Sequence, residues 1–248
     1  MPSCVCHVPL SQALDPKLMA EVLILPGMDG TGALHTELAA ELQSFGIASR
    51  SISYPSAEKL SYVQLSELVR AQLPTDGPYI LLGESFSGPV ALLVAASRPA
   101  GLVGLVLSTT FARTPVSFLG LASRLTRIAP TKFPSPLISW FLLGRWASRD
   151  LVKRVQAAIA GVQPTVLRAR AAAAMSADFT STLDSISIPT LVLRAKNDRL
   201  LFLAPRTGLA DRLFNSTQVD LDGPHLLLQA QPRWCAEAIS RFIRGIGV

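Results

Sequence analysis

The 248-residue chain is short of most features that would settle its class at a glance. It has three cysteines, Cys4, Cys6 and Cys235, an odd number with two crowded near the N-terminus. That is a poor disulfide framework and points to a reducing, cytoplasmic compartment. Cys4-x-Cys6-His7 lacks a second ligand cluster, so no metal is expected there. No apolar run approaches the ~18 residues needed to cross a bilayer, so no transmembrane segment is expected. The opening "MPSCVCHVPLSQALDPKLMA" has no basic region followed by an apolar one and is not read as a signal peptide. Aromatics are only 6% of the chain, and no interleaved basic and aromatic pattern or binding-fold signature is seen, so nucleic acid is not an expected partner. Histidine is scarce as well: His7, His35 and His225 are the whole supply of imidazole.

What is present is apolar. A hydrophobic content of 49% supplies the core of one large α/β domain, although the length would also fit two small ones. "EVLILPG" from Glu21, "IASRSISYP", Tyr79–Leu82, "GLVGLVLST" and "IPTLVLRAKND" read as strands, with a further strand near Thr217 to Leu221. Runs so continuously apolar are covered on both faces, as in parallel sheets built from βαβ units. Helical spacing falls between them, at Thr31 to Ser44, Leu60 to Leu73, Phe86 to Ser97, near Ala204 to Leu213, and from Leu226 onward. From Arg113 to Asp184 there is no convincing strand, only proline-marked turns between short helices and the helix-forming tract "RARAAAAMSA". The organisation expected is an N-terminal extension (1–20), a core (21–112), a helical insertion (113–184) and the rest of the core (185–248).

The formal charge of +6 is unevenly spread. Ten basic and three acidic side chains between Phe111 and Ser185 give that segment +7 and leave −1 for the remainder. A solvated basic face is the simpler account. An anionic partner, such as an acyl carrier protein, a phosphorylated thiol carrier or an acidic membrane surface, is the alternative.

The chemistry concentrates in "YILLGESFSGPVALL". A buried strand stops at Gly83, and a helix begins two or three residues later. So tight a turn forces its apex toward positive φ and needs small neighbours. Ser85 is that apex, flanked at two residues by Gly83 and Ser87. Its hydroxyl would stand at the carboxyl edge of the sheet, over a helix N-terminus that favours a developing anion. The alternative role for Ser85 is a helix cap.

This small-x-Ser-x-small turn resembles the nucleophile elbow of the α/β-hydrolase superfamily, with Ser87 where glycine is usual and Gly88 one place late. The combination of "LPGMDGTG" and "GESFSGPVAL" is similar to a bacterial group of small α/β-hydrolases related to esterases and thioesterases. The resemblance runs from about Glu21 to the C-terminus. It implies a central sheet flanked by helices, with a helical cap inserted before the acid strand; the short stretch before "EVLILPG" departs from the family, so a trimmed, mostly parallel sheet is expected. It implies no cofactor.

A serine nucleophile needs a base oriented by a carboxylate. His7 lies in the N-terminal extension, and His35 is expected on the exposed side of the first helix. His225, in "LDGPHLLLQAQP" after the last strand, is placed to reach across the sheet. Asp198, at the end of "LVLRAKND", is the acid that completes the chain order Ser…Asp…His implied by the resemblance. Asp220 and Asp222 adjoin the histidine's own strand end and are the rivals. The resemblance also places backbone oxyanion donors at Met28, after the first strand, and at Phe86, after the serine.

Gly27, Gly30 and Gly32 could instead form a dinucleotide turn, but their spacing is G-x-x-G-x-G and no Tyr-x-x-x-Lys accompanies them. Among the aromatics Phe111, Phe118, Phe133, Trp140, Phe141, Trp146 and Phe179, part is expected to line an apolar acyl pocket and most to pack the insertion onto the sheet. The activity implied is hydrolysis of a carboxylic ester or thioester through an acyl-enzyme. The alternatives are acyl transfer from the same intermediate and a non-catalytic binding protein on the same scaffold. Ser87→Ala is expected to retain much of the rate.

Overall fold

A computed structural model of the chain describes residues 20–114, 134–201 and 208–247. Expectations on His7, Cys4, Cys6, Phe118, Phe133 and the helix start near Ala204 lie outside those residues. The strand runs form β1 (Glu21–Leu25), β2 (Ser49–Ser51), β3 (Tyr79–Glu84), β4 (Leu102–Ser108), β5 (Thr190–Ala195) and β6 (Ser216–Leu221). They make one sheet in the order β2-β1-β3-β4-β5-β6, and every pairing is parallel.

The register explains why nearly every strand residue is apolar. Leu23 of β1 aligns with Leu81 of β3, and Leu81 with Leu105 of β4. Leu107 of β4 then aligns with Val192 of β5. These residues share one face and pack on α2 (Tyr62–Arg70) and α3 (Gly88–Ala96) after α1 (Thr36–Ser44). Residues one step along, Val22, Ile24, Ile80, Leu82, Val106, Leu191 and Leu193, turn to the other face. There they meet Leu38 and Leu42 of α1 and Ile239 and Ile243 of a C-terminal helix. Side chains alternate across a strand, so two covered faces require apolar residues at both parities. β6 is an edge strand, and its burial falls away accordingly.

Local signals place the helix ends. Ser61 and Gln64 form a reciprocal capping box at the start of α2, with Ser61 N–H donating to Gln64 Oε1 at 2.9 Å. The helix expected from Leu226 is divided into two pieces because Pro232 has no N–H to continue it. In the expected helical region 204–213, the described part holds only a 3₁₀ turn at Ala210–Arg212.

Between β4 and β5 the described chain is helical: α4 (Ser135–Leu137) running into a π-helical turn at Ile138–Leu143, then α5 (Arg149–Ala160) and α6 (Pro164–Met175). The two C-terminal pieces are α7 (Leu227–Ala230) and α8 (Pro232–Ile246). The neck of the β4–β5 insertion is closed by backbone bonds, Thr114 N–H to Ala177 O at 3.0 Å and Phe179 N–H to Ala112 O at 2.8 Å. Part of its positive charge is spent on docking to the core: Arg145 pairs with Asp222 and Arg154 with Glu37. Two of its aromatics depart from expectation. Trp140 and Phe141 are exposed and stack edge-on against each other rather than packing on the sheet, whereas Phe111 and Phe179 pack against the core. Among the described residues no helix is long and apolar enough to cross a membrane.

Leu81 is fully buried at the centre of this sandwich. Leu81→Ala is expected to lower stability by about 2–5 kcal/mol, read from guanidinium unfolding midpoints at unchanged slope.

Candidate active site

Because all strands run the same way, every strand-to-helix loop emerges on one edge, and the candidate residues collect there. Ser85 sits where β3 ends, at φ 48°, the left-handed conformation expected of the apex. The carbonyl of Ser85 accepts from the Thr110 hydroxyl and from Gly88 N–H. Gly88 is bare for a reason: a Cβ there would lie 1.9 Å from Thr110 Oγ1.

Ser85 Oγ lies 2.8 Å from His225 Nε2. His225 Nδ1 lies 2.8 Å from Asp198 Oδ2. The other carboxylate oxygen of Asp198 accepts Leu200 N–H and Leu201 N–H, both at 2.8 Å. Burial pushes the Asp198 carboxyl up, but the charge and hydrogen bond of His225 and these two amides outweigh it and hold it below its ordinary value. The loops of acid and histidine are laced together by Lys196 N–H to Leu221 O at 2.9 Å and Asn197 N–H to Gly223 O at 3.0 Å. The rivals are engaged elsewhere: Asp220 binds Arg194, and Asp222 binds Asn197 and Arg145. Among the described residues, neither Met28 N–H nor Phe86 N–H has an acceptor.

Three polar groups beyond the relay complete the edge. His35 is buried, 2% exposed, which corrects the expected exposure. It precedes α1 in a 3₁₀ turn, and from there its ring reaches inward, Nε2 to Glu84 Oε2 at 2.9 Å and Nδ1 to Ser51 Oγ at 3.0 Å. Burial pushes the Glu84 carboxyl up, but the hydrogen bond and charge of His35 outweigh it and hold it below its ordinary value. Ser87 is fully buried, takes Tyr54 Oη at 2.7 Å, and donates to the carbonyl of Pro26 in the loop after β1. Arg170 of α6 donates to the carbonyls of Met28 at 3.0 Å, Asp29 at 2.8 Å and Pro55 at 3.0 Å. The sequence carried a faint hint only for Ser87, a hydroxyl where the elbow usually has glycine.

The model of the serine aminopeptidase, S33, family matches residues 62–221, about two thirds of the chain. The chain belongs to this α/β-hydrolase family. The match takes in Ser85 and Asp198 and stops four residues before His225, so the third partner comes from the structure rather than from the family pattern. No curated protein matches this member of the S33 family. Solved structures similar to it share its α/β-hydrolase fold. A hydrolase from Oleispira antarctica is 16% identical, with a TM-score of 0.76 and 91% of each chain covered. A bromoperoxidase from Bacillus anthracis is 15% identical, with a TM-score of 0.78, covering 91% of this chain and 92% of its own. A thermophilic esterase from Thermogutta terrifontis is 20% identical, with a TM-score of 0.73 and coverage of 94% and 92%. At these identities the likeness is one of fold.

Two outcomes follow from the buried polar groups. A depressed carboxylate gives stability that is complete above the unfolded carboxylate value and is lost as pH falls through the folded one. Glu84→Gln should therefore lower stability at pH 7 by about 1–3 kcal/mol and flatten its fall as pH drops below the ordinary carboxylate range, measured by chemical denaturation across pH. Ser87→Ala, expected from the sequence to retain much of the rate, should nonetheless lower stability. It strands the Tyr54 hydroxyl and the Pro26 carbonyl and should cost about 1–3 kcal/mol. Tyr54→Phe in the same background should restore part of that, as a double-mutant cycle would reveal.

Proposed function

We propose that this S33-family protein is a serine hydrolase that cleaves carboxylic esters or thioesters through an acyl-enzyme. The observation that carries the reading is the unbroken relay from Ser85 through His225 to Asp198, both links at 2.8 Å, with the serine held at positive φ. In this mechanism Ser85 Oγ attacks the acyl carbonyl while His225 Nε2 takes its proton. Asp198, kept ionised, holds Nδ1–H and so fixes the tautomer that leaves Nε2 free to accept. The amides of Met28 and Phe86 stabilise the tetrahedral oxyanion. His225 then returns the proton to the leaving group, and a water activated by the same imidazole releases the acid.

Phe111, Phe179, Ala173 and Ala174 pack against the core cluster that holds Phe86 and Tyr62, with Phe179 edge-on to Tyr62, which supports an apolar acyl group beside the nucleophile. We further propose that the helical insertion acts as a cap over this site. With Arg145 and Arg154 committed to core carboxylates, its positive charge supports internal docking more than capture of an anionic carrier. Surface pairs of this kind contribute little each.

A fluorophosphonate probe should label wild-type protein at Ser85 and leave Ser85→Ala unmodified. Turnover of p-nitrophenyl esters and acyl thioesters should fall at least ~10³-fold in Ser85→Ala and up to ~10⁴-fold in Asp198→Asn. Wild-type-like turnover in Ser85→Ala would reject the assignment. Absence of labelling in the wild type would favour a binding scaffold. An aminoacyl p-nitroanilide included in the panel tests the peptidase activity in the family's description, and product analysis with an added alcohol separates hydrolysis from acyl transfer.

A further inference from the structure

We propose that Arg170, carried by the helical insertion, is a positioning residue that builds the oxyanion hole by gripping the loop after β1 through its backbone carbonyls. The inference rests on the oxyanion role proposed for Met28.

Arg170 is 3% exposed. An arginine so deeply buried ordinarily faces a carboxylate. Here, among the described residues, it forms no ion pair, and its hydrogen bonds go to three backbone carbonyls, those of Met28, Asp29 and Pro55. The Asp29 carboxylate is near but turned away, accepting from Thr31 N–H at 2.9 Å and Thr31 Oγ1 at 2.5 Å. The loop is shaped around the guanidinium. Gly30 has φ +70°, and a Cβ on it would lie 2.4 Å from an Arg170 nitrogen. No other residue type leaves that space.

The peptide units on both sides of Met28 are therefore fixed. On one side the Gly27 carbonyl accepts Gly30 N–H at 3.1 Å. On the other the Met28 carbonyl is held by Arg170. A peptide unit is planar, with N–H opposite C=O, so the Gly27 carbonyl sets the direction of the Met28 N–H, and the hold of Arg170 on the next unit keeps the turn from rotating; among the described residues the Met28 N–H has no backbone acceptor. The grip extends further. The Tyr54 ring lies under the guanidinium at 5.6 Å, its hydroxyl meets Ser87, and Ser87 donates to Pro26 at the start of the same loop. Apolar contacts of Met28 with Val162, Val166 and Leu167 seat α6 and its neighbouring turn on the loop from the same side. A planar fork of donors suits three carbonyls; a lysine ammonium would satisfy fewer of them.

The test compares Arg170→Met and Arg170→Lys with wild type in the full chain. Three quantities are read: the second-order rate of fluorophosphonate labelling, kcat and KM for p-nitrophenyl butyrate, and the binding of phenylboronic acid, whose tetrahedral adduct places an oxygen in the hole. In Arg170→Met, labelling and kcat should fall ~10–10²-fold, with KM within about three-fold and phenylboronic acid weakened in proportion to kcat, since a donor used mainly in the transition state is misaligned. Arg170→Lys should recover part of each loss. If Arg170→Met does not fold, as melting would show, Arg170→Lys decides the matter by the same split between kcat and KM. Wild-type labelling and kcat in the folded variants would overturn the inference. So would a loss expressed in KM alone, or phenylboronic acid binding that ignores the substitution. A wild type that resists the fluorophosphonate would overturn the serine-hydrolase reading and this inference with it, an outcome distinct from labelling that is equal in wild type and variant.

Discussion

Everything at the carboxyl edge of the sheet depends on one strained residue. Ser85 holds a left-handed backbone that costs a non-glycine residue about 1–3 kcal/mol, and it does so between a buried strand and a buried helix. The cost is met by contacts that exist only if the turn is closed. The Ser85 carbonyl takes two donors, Thr110 from the end of β4 and Gly88 from the start of α3. Ser87 ties the far side of the turn to the first loop and to Tyr54. The hydroxyl of Ser85 is thereby presented to His225 with no freedom to retreat into a helix-capping role.

Around that turn lies a polar scaffold almost entirely shut off from water. His35 and Glu84 join the turn before α1 to the residue just before the serine. Tyr54 and Ser87 join the chain after β2 to the helix after it. Arg170 joins the insertion to the loop after β1. Each of these groups would be costly to bury alone and is kept in place by a partner from another element. Together they give the edge fixed dimensions.

Much of this was legible in advance, for local reasons. The strands announced themselves because a doubly covered parallel sheet demands apolar residues at both parities, as in Leu23 and Ile24. Ser85, Asp198 and His225 were legible because each follows a strand and sits among turn-forming glycine, proline or asparagine. What stayed hidden was long-range pairing. His35 and Glu84 are 49 residues apart, and Arg170 and Met28 are 142 apart. In the alanine-rich tract around it, Arg170 looks like an ordinary solvent-facing helix residue, since nothing local says that the helix will press it into a loop. The helix break at Gln231 was misread for a different reason. The apolar pattern continues across it, and only the missing N–H of Pro232 interrupts the ladder.

The bond between insertion and core has one property that side-chain pairs lack. Arg170 holds main-chain oxygens, which every residue type offers alike, so Met28, Asp29 and Pro55 can change identity without breaking the attachment. Only Gly30 must stay bare. Such a joint is generic on one side and specific on the other. Residues elsewhere in the helical segment can therefore vary without loosening this one joint, provided a guanidinium stays at that spot.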